Sequence, residues 1–183
     1  LNRLREICTQ HGILLVFDEV ITGWGRMGAP FGAQAFGVTP DLLTMAKAIT
    51  NGAQPMGAVA ARQDIYDTIT DAGPAHGVEP FHGSTYSAHP PPCAAGLAMM
   101  DIFAKEKLIE RGAAMSPKFI EAMHSLSDCA VVTDIRSIGM MAAVDVAVDA
   151  KAGGPGARGH EAQKRLYDTG LNLKSTGDAL IVA

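Results

Sequence analysis

Two short apolar runs near the start of the chain, each ending beside a charged side chain, constrain the fold most strongly. The run ILLVF ends at Asp18 and Glu19, a glycine-rich turn, TGWGRMG, follows, and the run LLTMA ends at Lys47. Short apolar runs bounded by turn residues are typical of buried strands. We therefore expect two strands whose ends present a carboxylate and a lysine to one region.

Helix and strand signals alternate through the first hundred residues, and this order predicts the fold class. A helix is expected over residues 1–11 with Gly12 as its stop, because apolar residues recur there at helical spacing. Strands are expected at 13–17, 42–46 and 56–61. Such alternation favours an α/β fold: a mostly parallel sheet covered by helices, with active residues at the carboxyl ends of the strands.

The rest of the chain indicates a second, smaller unit. A helix is expected through 93–112, and Ser116 and Pro117 match an N-cap followed by proline in the first turn of another helix. We therefore predict a domain boundary near this pair. Residues 1–114 are assigned to part of a large domain and residues 115–183 to a small, truncated α+β domain.

Composition and charge exclude several classes of partner. The chain has 183 residues, 48% of them hydrophobic, so it can bury a sizeable core. Its net charge is −4, and its lysines and arginines are scattered, which argues against a nucleic acid or an anionic membrane surface as partner. No apolar run is long enough to span a bilayer.

Cysteine use and the chain ends give two further expectations. The three cysteines are dispersed and odd in number, which fits reduced thiols better than a disulfide framework, so we predict a cytoplasmic location. The chain begins at Leu1 rather than methionine and ends in ALIVA, which is typical of a strand cut short. We expect the chain to be a fragment.

The pairing of Asp18 with Lys47 indicates pyridoxal phosphate chemistry. A pyridoxal ring stabilises a substrate carbanion while its nitrogen stays protonated, and a buried carboxylate beside that nitrogen favours the charged form. The cofactor aldehyde also needs a lysine that holds it as a Schiff base and later moves a proton. Because strand side chains alternate, Asp18 and Val20 share a face, so Val20 is expected to pack on the ring. Glu19 points the other way and is expected to be structural.

Two other patterns are weaker candidates for a site. The glycines at 23–28 spell G-x-G-x-x-G, but in a dinucleotide motif the first glycine directly follows the strand, whereas residues 18–22 intervene here. His82, His89 and Cys93 match no standard zinc spacing, so we predict no metal site.

Three longer segments place these residues in a known family. LLVFDEVITGWGRMG, DLLTMAKAITNGAQPMGAV and FHGSTYSAHPPPCAAG closely resemble class III aminotransferases of the type I pyridoxal phosphate fold, especially the ω-amino-acid:pyruvate group, which includes the β-alanine:pyruvate enzymes. The resemblance implies that Asp18 pairs with the pyridinium nitrogen, Val20 packs on the ring and Lys47 binds the aldehyde. It also implies that Thr85 binds the cofactor phosphate of the neighbouring subunit, in a homodimer with shared active sites.

The chain departs from the family pattern at four positions. Ser84 stands where an aromatic residue is usual, Pro91 where a small apolar residue is usual, and Trp24 replaces a phenylalanine. Lys174 stands where many relatives have the arginine that binds a substrate carboxylate. Since lysine lacks the planar fork of arginine, we expect weaker or differently oriented carboxylate binding at Lys174.

The resemblance implies a transaminase that moves an amino group from an ω-amino acid or primary amine to a 2-oxo acid such as pyruvate. The family's upstream half, which cradles the phosphate, has no counterpart in the chain, so the isolated fragment is expected to be inactive. Two alternatives stay open: an aminomutase, decarboxylase or racemase on the same scaffold, and a non-catalytic truncated remnant.

Overall fold

The computed structural model describes residues 1–76 and 83–183, which form two compact units. The first unit comprises residues 1–24 and 30–108, and the second comprises residues 25–29 and 109–183. The assignment of residues to a large and a small domain, divided after residue 114, stays a prediction. No helix among the described residues combines enough length with enough apolar character to cross a lipid bilayer.

Helices and strands alternate in the first unit, which confirms the predicted α/β class. Its elements are α1 (Asn2–Gln10), β1 (Val16–Asp18), α2 (Gly32–Phe36), β2 (Leu42–Met45), β3 (Ala58–Ala61), α3 (Gln63–Asp71) and α4 (Pro90–Glu106). The strands lie in the order β1-β2-β3, with β1 and β2 parallel and β2 and β3 antiparallel. This described sheet is mixed rather than mostly parallel, because a loop without an α-helix joins β2 to β3.

Apolar side chains from three segments form one core cluster of the first unit. Cys8 of α1, Leu15 before β1 and Val38 after α2 are buried together, and Phe17 packs against them. Burying a side chain of the size of leucine or valine stabilises the fold by about 1.5–3 kcal/mol. Gly12 adopts φ +64°, a left-handed conformation that glycine tolerates, and it follows α1 as the sequence predicts.

Asp41 ties several of these elements together. Its carboxylate is buried, forms ion pairs with Arg5 (2.7 Å) and Arg62 (2.5 Å), and accepts a hydrogen bond from the backbone N–H of Leu15 (2.6 Å). The hydrogen bond from Arg5 is the largest cause that lowers the pKa of Asp41, followed by the bond from Leu15.

The second unit contains a four-stranded antiparallel sheet. Its elements are α5 (Leu108–His124), β4 (Val132–Ile138), β5 (Met141–Val146), α6 (Ala157–Asp168), β6 (Lys174–Thr176) and β7 (Ala179–Val182). The strand order is β4-β5-β7-β6. Alternate residues of β5 are buried, and Val144 and Val146 form the core with Leu180. Leu166 of α6 packs against this cluster, so the helix covers one face of the sheet.

The helix boundary predicted at Ser116 and Pro117 is wrong. Helix α4 ends before Lys107, which adopts a left-handed φ of +51°, and α5 starts at Leu108 and continues through both residues. The Ser116 hydroxyl donates to the carbonyl of Gly112 (2.9 Å) instead of capping a helix start. A serine–proline pair therefore fits inside a helix when the hydroxyl bonds back to the preceding turn.

Candidate active site

The two principal site residues predicted from the sequence lie at the same edge of the first unit's sheet. Asp18 is the last residue of β1, and the parallel register places it opposite Thr44 of β2. Lys47 follows Thr44 by three positions, just beyond the end of β2. Because the carboxyl ends of neighbouring parallel strands meet at one edge, the fold brings Asp18 and Lys47 to one region.

Asp18 uses one of its two carboxylate oxygens in hydrogen bonds. Its Oδ1 accepts from the backbone N–H of Val20 (3.1 Å) and from the hydroxyl of Thr44 (3.4 Å), whereas Oδ2 has no partner in the described part of the chain. The side chain lines a groove of about 330 Å³. The expected burial of Asp18 is not observed, since the residue is exposed at the carboxyl end of β1.

Glu19 has the structural role that the sequence predicts. The residue is only 2% exposed, and its carboxylate accepts hydrogen bonds from the N–H groups of Gly32 (2.9 Å) and Ala33 (2.7 Å). The hydroxyl of Thr22 donates to the same carboxylate. Since Gly32 and Ala33 begin α2, Glu19 satisfies two of the N–H groups that a helix start leaves unpaired.

Val20 lies in the turn after β1. The argument that Asp18 and Val20 share a face requires the strand to continue through Val20, but β1 ends at Asp18 and the chain turns there. The hydrogen bond between the Val20 N–H and the Asp18 carboxylate closes this turn. Strand alternation therefore does not define the direction of the Val20 side chain, and its packing on a cofactor ring stays a prediction.

Lys47 occupies a strained backbone position. Its φ is +49°, in the left-handed region, which costs a residue other than glycine about 1–3 kcal/mol. It begins a short 3₁₀ turn, Lys47–Ile49, directly after the strand. The side chain is exposed, and Nζ has no hydrogen bond or ion pair within residues 1–76 and 83–183. Backbone strain of this kind clusters at active sites, so the observation supports a functional reading of Lys47.

Thr85 lies exposed in a tight turn of the first unit. The N–H of Ser84 donates to the hydroxyl of Ser87 (2.8 Å), and the N–H of Ser87 donates to the carbonyl of Ser84 (2.9 Å). Neighbours of Thr85 in this turn, the start of α4 and residues 54–57 line a cavity of about 570 Å³, and Thr85 itself is not one of the lining residues. Phosphate binding by Thr85 stays a prediction.

The histidine pair considered for a metal site is only partly described. His82 lies outside the described residues, whereas His89 packs edge-on against Tyr86 with ring centroids 5.3 Å apart. Cys93 lies inside α4. Within the described ranges, no group of three or more histidine, cysteine, aspartate or glutamate side chains is arranged to hold a metal ion.

Lys174 belongs to the second unit. It is the first residue of β6, an edge strand, and its backbone pairs with Ile181 of β7. Its side chain is exposed. The proposed contact between Lys174 and a substrate carboxylate stays a prediction.

Thr44 is a site neighbour that sequence reasoning missed. It lies 26 residues from Asp18 along the chain, yet its hydroxyl donates to the Asp18 carboxylate. The only sequence signal that could have found it is the register of two parallel strands, and short apolar runs do not fix that register.

Solved structures define the class of protein. The chain matches the ω-transaminase from Pseudomonas jessenii in complex with PMP with a TM-score of 0.90 and 30% identity, over 99% of this chain and 41% of that chain. It matches an (S)-enantioselective ω-transaminase from Thermomicrobium roseum with a TM-score of 0.86 and 33% identity, over 98% and 40% of the two chains. The fold is therefore that of the pyridoxal-phosphate-dependent ω-transaminases, as the sequence predicts.

The sequence comparisons give the family. The family described as Aminotransferase class-III matches residues 1–183, so the chain belongs to the class III aminotransferases, which use pyridoxal phosphate. It is 49% identical over 183 residues to an ω-aminotransferase of Caulobacter vibrioides and 50% identical over 181 residues to a β-alanine–pyruvate aminotransferase of Pseudomonas aeruginosa. These alignments cover 100% and 98% of this chain but only 41% and 40% of the relatives. The predicted family is confirmed.

Proposed function

We propose that the full-length protein transfers an amino group from an ω-amino acid or primary amine to a 2-oxo acid such as pyruvate, with pyridoxal phosphate as its cofactor. The observation that carries this proposal is the placement of Asp18 and Lys47 at the ends of adjacent parallel strands in a class III aminotransferase chain. The relatives named for ω-amino acid and β-alanine transamination support the substrate class.

The residues present fit the cofactor. Oδ2 of Asp18 and Nζ of Lys47 both lack partners in the described part of the chain, so a ring N–H and an aldehyde carbon can engage them without breaking an existing contact. The exposed hydroxyl of Thr85 suits a phosphate oxygen. When bound, pyridoxal phosphate supplies an electron sink for negative charge that develops at the donor carbon.

Each side chain then has a distinct task. Asp18 keeps the ring nitrogen protonated, because a carboxylate within hydrogen-bond distance favours the charged form of its partner. Lys47 would hold the cofactor through its Nζ amine and, once free, would accept and return the proton of the donor carbon. Val20, in the turn after β1, would be the apolar neighbour of the ring.

The proposal extends to assembly and location. Thr85 contributes its hydroxyl to the cofactor phosphate of the partner subunit, which requires a homodimer with shared active sites. Lys174 attracts the substrate carboxylate as a point charge. A cytoplasmic location is supported by the three free cysteines, Cys8, Cys93 and Cys129, since reducing compartments keep thiols unpaired.

Replacing the lysine tests the proposal. We expect Lys47→Ala in the full-length protein to lower amine-to-pyruvate turnover by more than about a thousandfold, because the residue both binds the cofactor and moves the proton. Lys105→Ala, which removes an exposed lysine of α4, is the matched control and should keep wild-type turnover. Cofactor found on another lysine after borohydride reduction, or turnover kept by Lys47→Ala, would contradict the proposal.

Withholding the acceptor separates transamination from the other reactions. Transamination consumes one 2-oxo acid for each amine converted, so omission of pyruvate should stop the reaction after one amine per active site, at the end of the donor half-reaction. A racemase, decarboxylase or aminomutase continues without an acceptor, and sustained turnover in its absence would favour one of those activities.

A further inference from the structure

The loop that follows Lys47 is held by one buried hydroxyl. Among residues 46–54, the buried side chains are those of Ile49 and Thr50, which are 4% and 3% exposed. The Thr50 hydroxyl donates to the backbone carbonyl of Gln54 at 2.5 Å. Because Ile49 offers no polar side-chain atom, Thr50 is the buried polar anchor of this loop.

Backbone hydrogen bonds connect Thr50 to the strained lysine. The carbonyl of Lys47 accepts from the N–H groups of Thr50 and Gly52, both at 3.3 Å. The carbonyl of Thr50 accepts from the N–H of Ala53 at 3.0 Å. Thr50 is thus bonded in one direction to Lys47 and in the other to the end of the loop. A left-handed residue such as Lys47 persists only where its surroundings impose that conformation.

We propose that Thr50 is a positioning residue for Lys47: its buried hydroxyl closes the loop at residues 47–54 and holds the backbone from which the lysine amine reaches the cofactor. This inference rests on the proposed function, since it takes Lys47 as the residue that binds the aldehyde. Thr50 acts through Lys47 and makes no contact with substrate. An amine that must attack one carbon atom is sensitive to position, and a displacement of about 1 Å can cost roughly a hundredfold in rate.

Kinetics of two substitutions test the role of the hydroxyl. Thr50→Val keeps the shape of the side chain without the hydroxyl, and we expect it to lower kcat by about 10- to 100-fold with little change in KM for the amine donor. Thr50→Ser keeps the hydroxyl and should retain kcat within about threefold. Thr68→Val is the matched control, because the Thr68 hydroxyl also donates to a backbone carbonyl, that of Asp64 (2.6 Å), but on an exposed face of α3. It should leave kcat unchanged.

A second readout separates positioning from stability. In each variant, the pH midpoint of the absorbance band of the lysine-bound cofactor is measured, together with the fraction of Lys47 that carries cofactor after borohydride reduction. We expect Thr50→Val to move the midpoint and to lower that fraction, and Thr50→Ser to restore both. A merely structural threonine would lower the unfolding temperature and leave the midpoint in place.

The result that overturns the proposal is a folded Thr50→Val with wild-type kcat and a wild-type pH midpoint. If that variant does not fold, Thr50→Ala and Thr50→Ser are compared, because they differ by the hydroxyl alone, and equal kcat values would overturn the proposal. Failure of the proposed function is seen separately, in the wild-type protein, as absence of turnover or of cofactor on Lys47.

Discussion

Trp24 carries the one buried polar side-chain atom without a hydrogen-bond partner among the described residues, its indole Nε1. The ring packs edge-on against Phe31 and Phe103, with centroid distances of 5.4 Å and 6.4 Å. A buried donor without a partner costs about 1–3 kcal/mol. Phenylalanine, which the family resemblance predicts at this position, keeps an aromatic ring and lacks this donor.

We expect Trp24→Phe to keep the free energy of unfolding or to raise it by up to about 1 kcal/mol, because removal of the donor offsets the smaller contact area. Trp24→Leu is the control that removes the aromatic ring, and it should lose about 2–3 kcal/mol. Urea denaturation of both variants measures the effect. A loss above about 1 kcal/mol for Trp24→Phe would show that the unpaired donor carries no such cost.

Helix α6 begins where a close backbone approach requires glycine. A Cβ atom added at Gly159 would lie 2.2 Å from the carbonyl oxygen of Gly177, the first of the two residues between β6 and β7. The N–H of Gly159 donates to the Asp178 carboxylate at 3.0 Å, and the N–H of Gly156 donates to it at 2.6 Å. The start of α6 therefore packs directly against the turn between β6 and β7, and hydrogen bonds to Asp178 join the two.

We expect Gly159→Ala to lower the free energy of unfolding by more than about 2 kcal/mol, because backbone atoms must move apart. Gly96→Ala in α4 is the matched control: there the new Cβ would lie at an ordinary 3.5 Å from the Ile49 carbonyl oxygen, and the higher helix propensity of alanine favours stability. Thermal unfolding of both variants measures the two changes in stability. Equal losses of stability in Gly159→Ala and Gly96→Ala would exclude the close backbone approach as the reason that glycine is required at position 159.

Each of the two units contains a carboxylate that the folded chain stabilises in its ionised form. The pKa of Asp41 in the first unit is lowered mainly by Arg5, and that of Asp178 in the second by the N–H groups of Gly156 and Gly159. Because each folded pKa lies below the ordinary value of 3.8, both groups contribute stability above that pH. This stability is lost as the pH falls through the folded values, so the whole molecule should lose stability in acid.

We expect Asp41→Asn to lower the free energy of unfolding at neutral pH by about 2–4 kcal/mol, because Arg5 and Arg62 lose their buried partner. The difference from wild type should shrink as the pH falls below 3.8 and through the lowered pKa of folded Asp41, because the wild-type carboxyl becomes protonated only there. Asp67→Asn, at an exposed carboxylate of α3, is the control and should stay within about 0.5 kcal/mol of wild type. A difference that does not change with pH would contradict this account.

Local patterns predicted much of the architecture because periodicity and turn residues act over a few positions. The strands before Asp18 and Lys47, the first helix and the structural role of Glu19 follow from such patterns. The pattern failed at Ser116 and Pro117, because the same two residues satisfy either a helix start or a helix interior. The hydrogen bond to the preceding turn decides between them, and it forms only in the folded helix.

The amino-acid order determined which side chains are available for the chemistry and placed Asp18 and Lys47 at strand ends, since each signal lies within about ten residues. The tertiary structure decided which groups support them. Thr44 reaches Asp18 only through strand register, and Thr50 becomes a buried anchor only when its loop closes. Gly159 is required only because a distant turn packs against its helix. These contacts join residues that come close only when the chain packs and its loops close. The periodicity of a short sequence segment carries no information on such contacts.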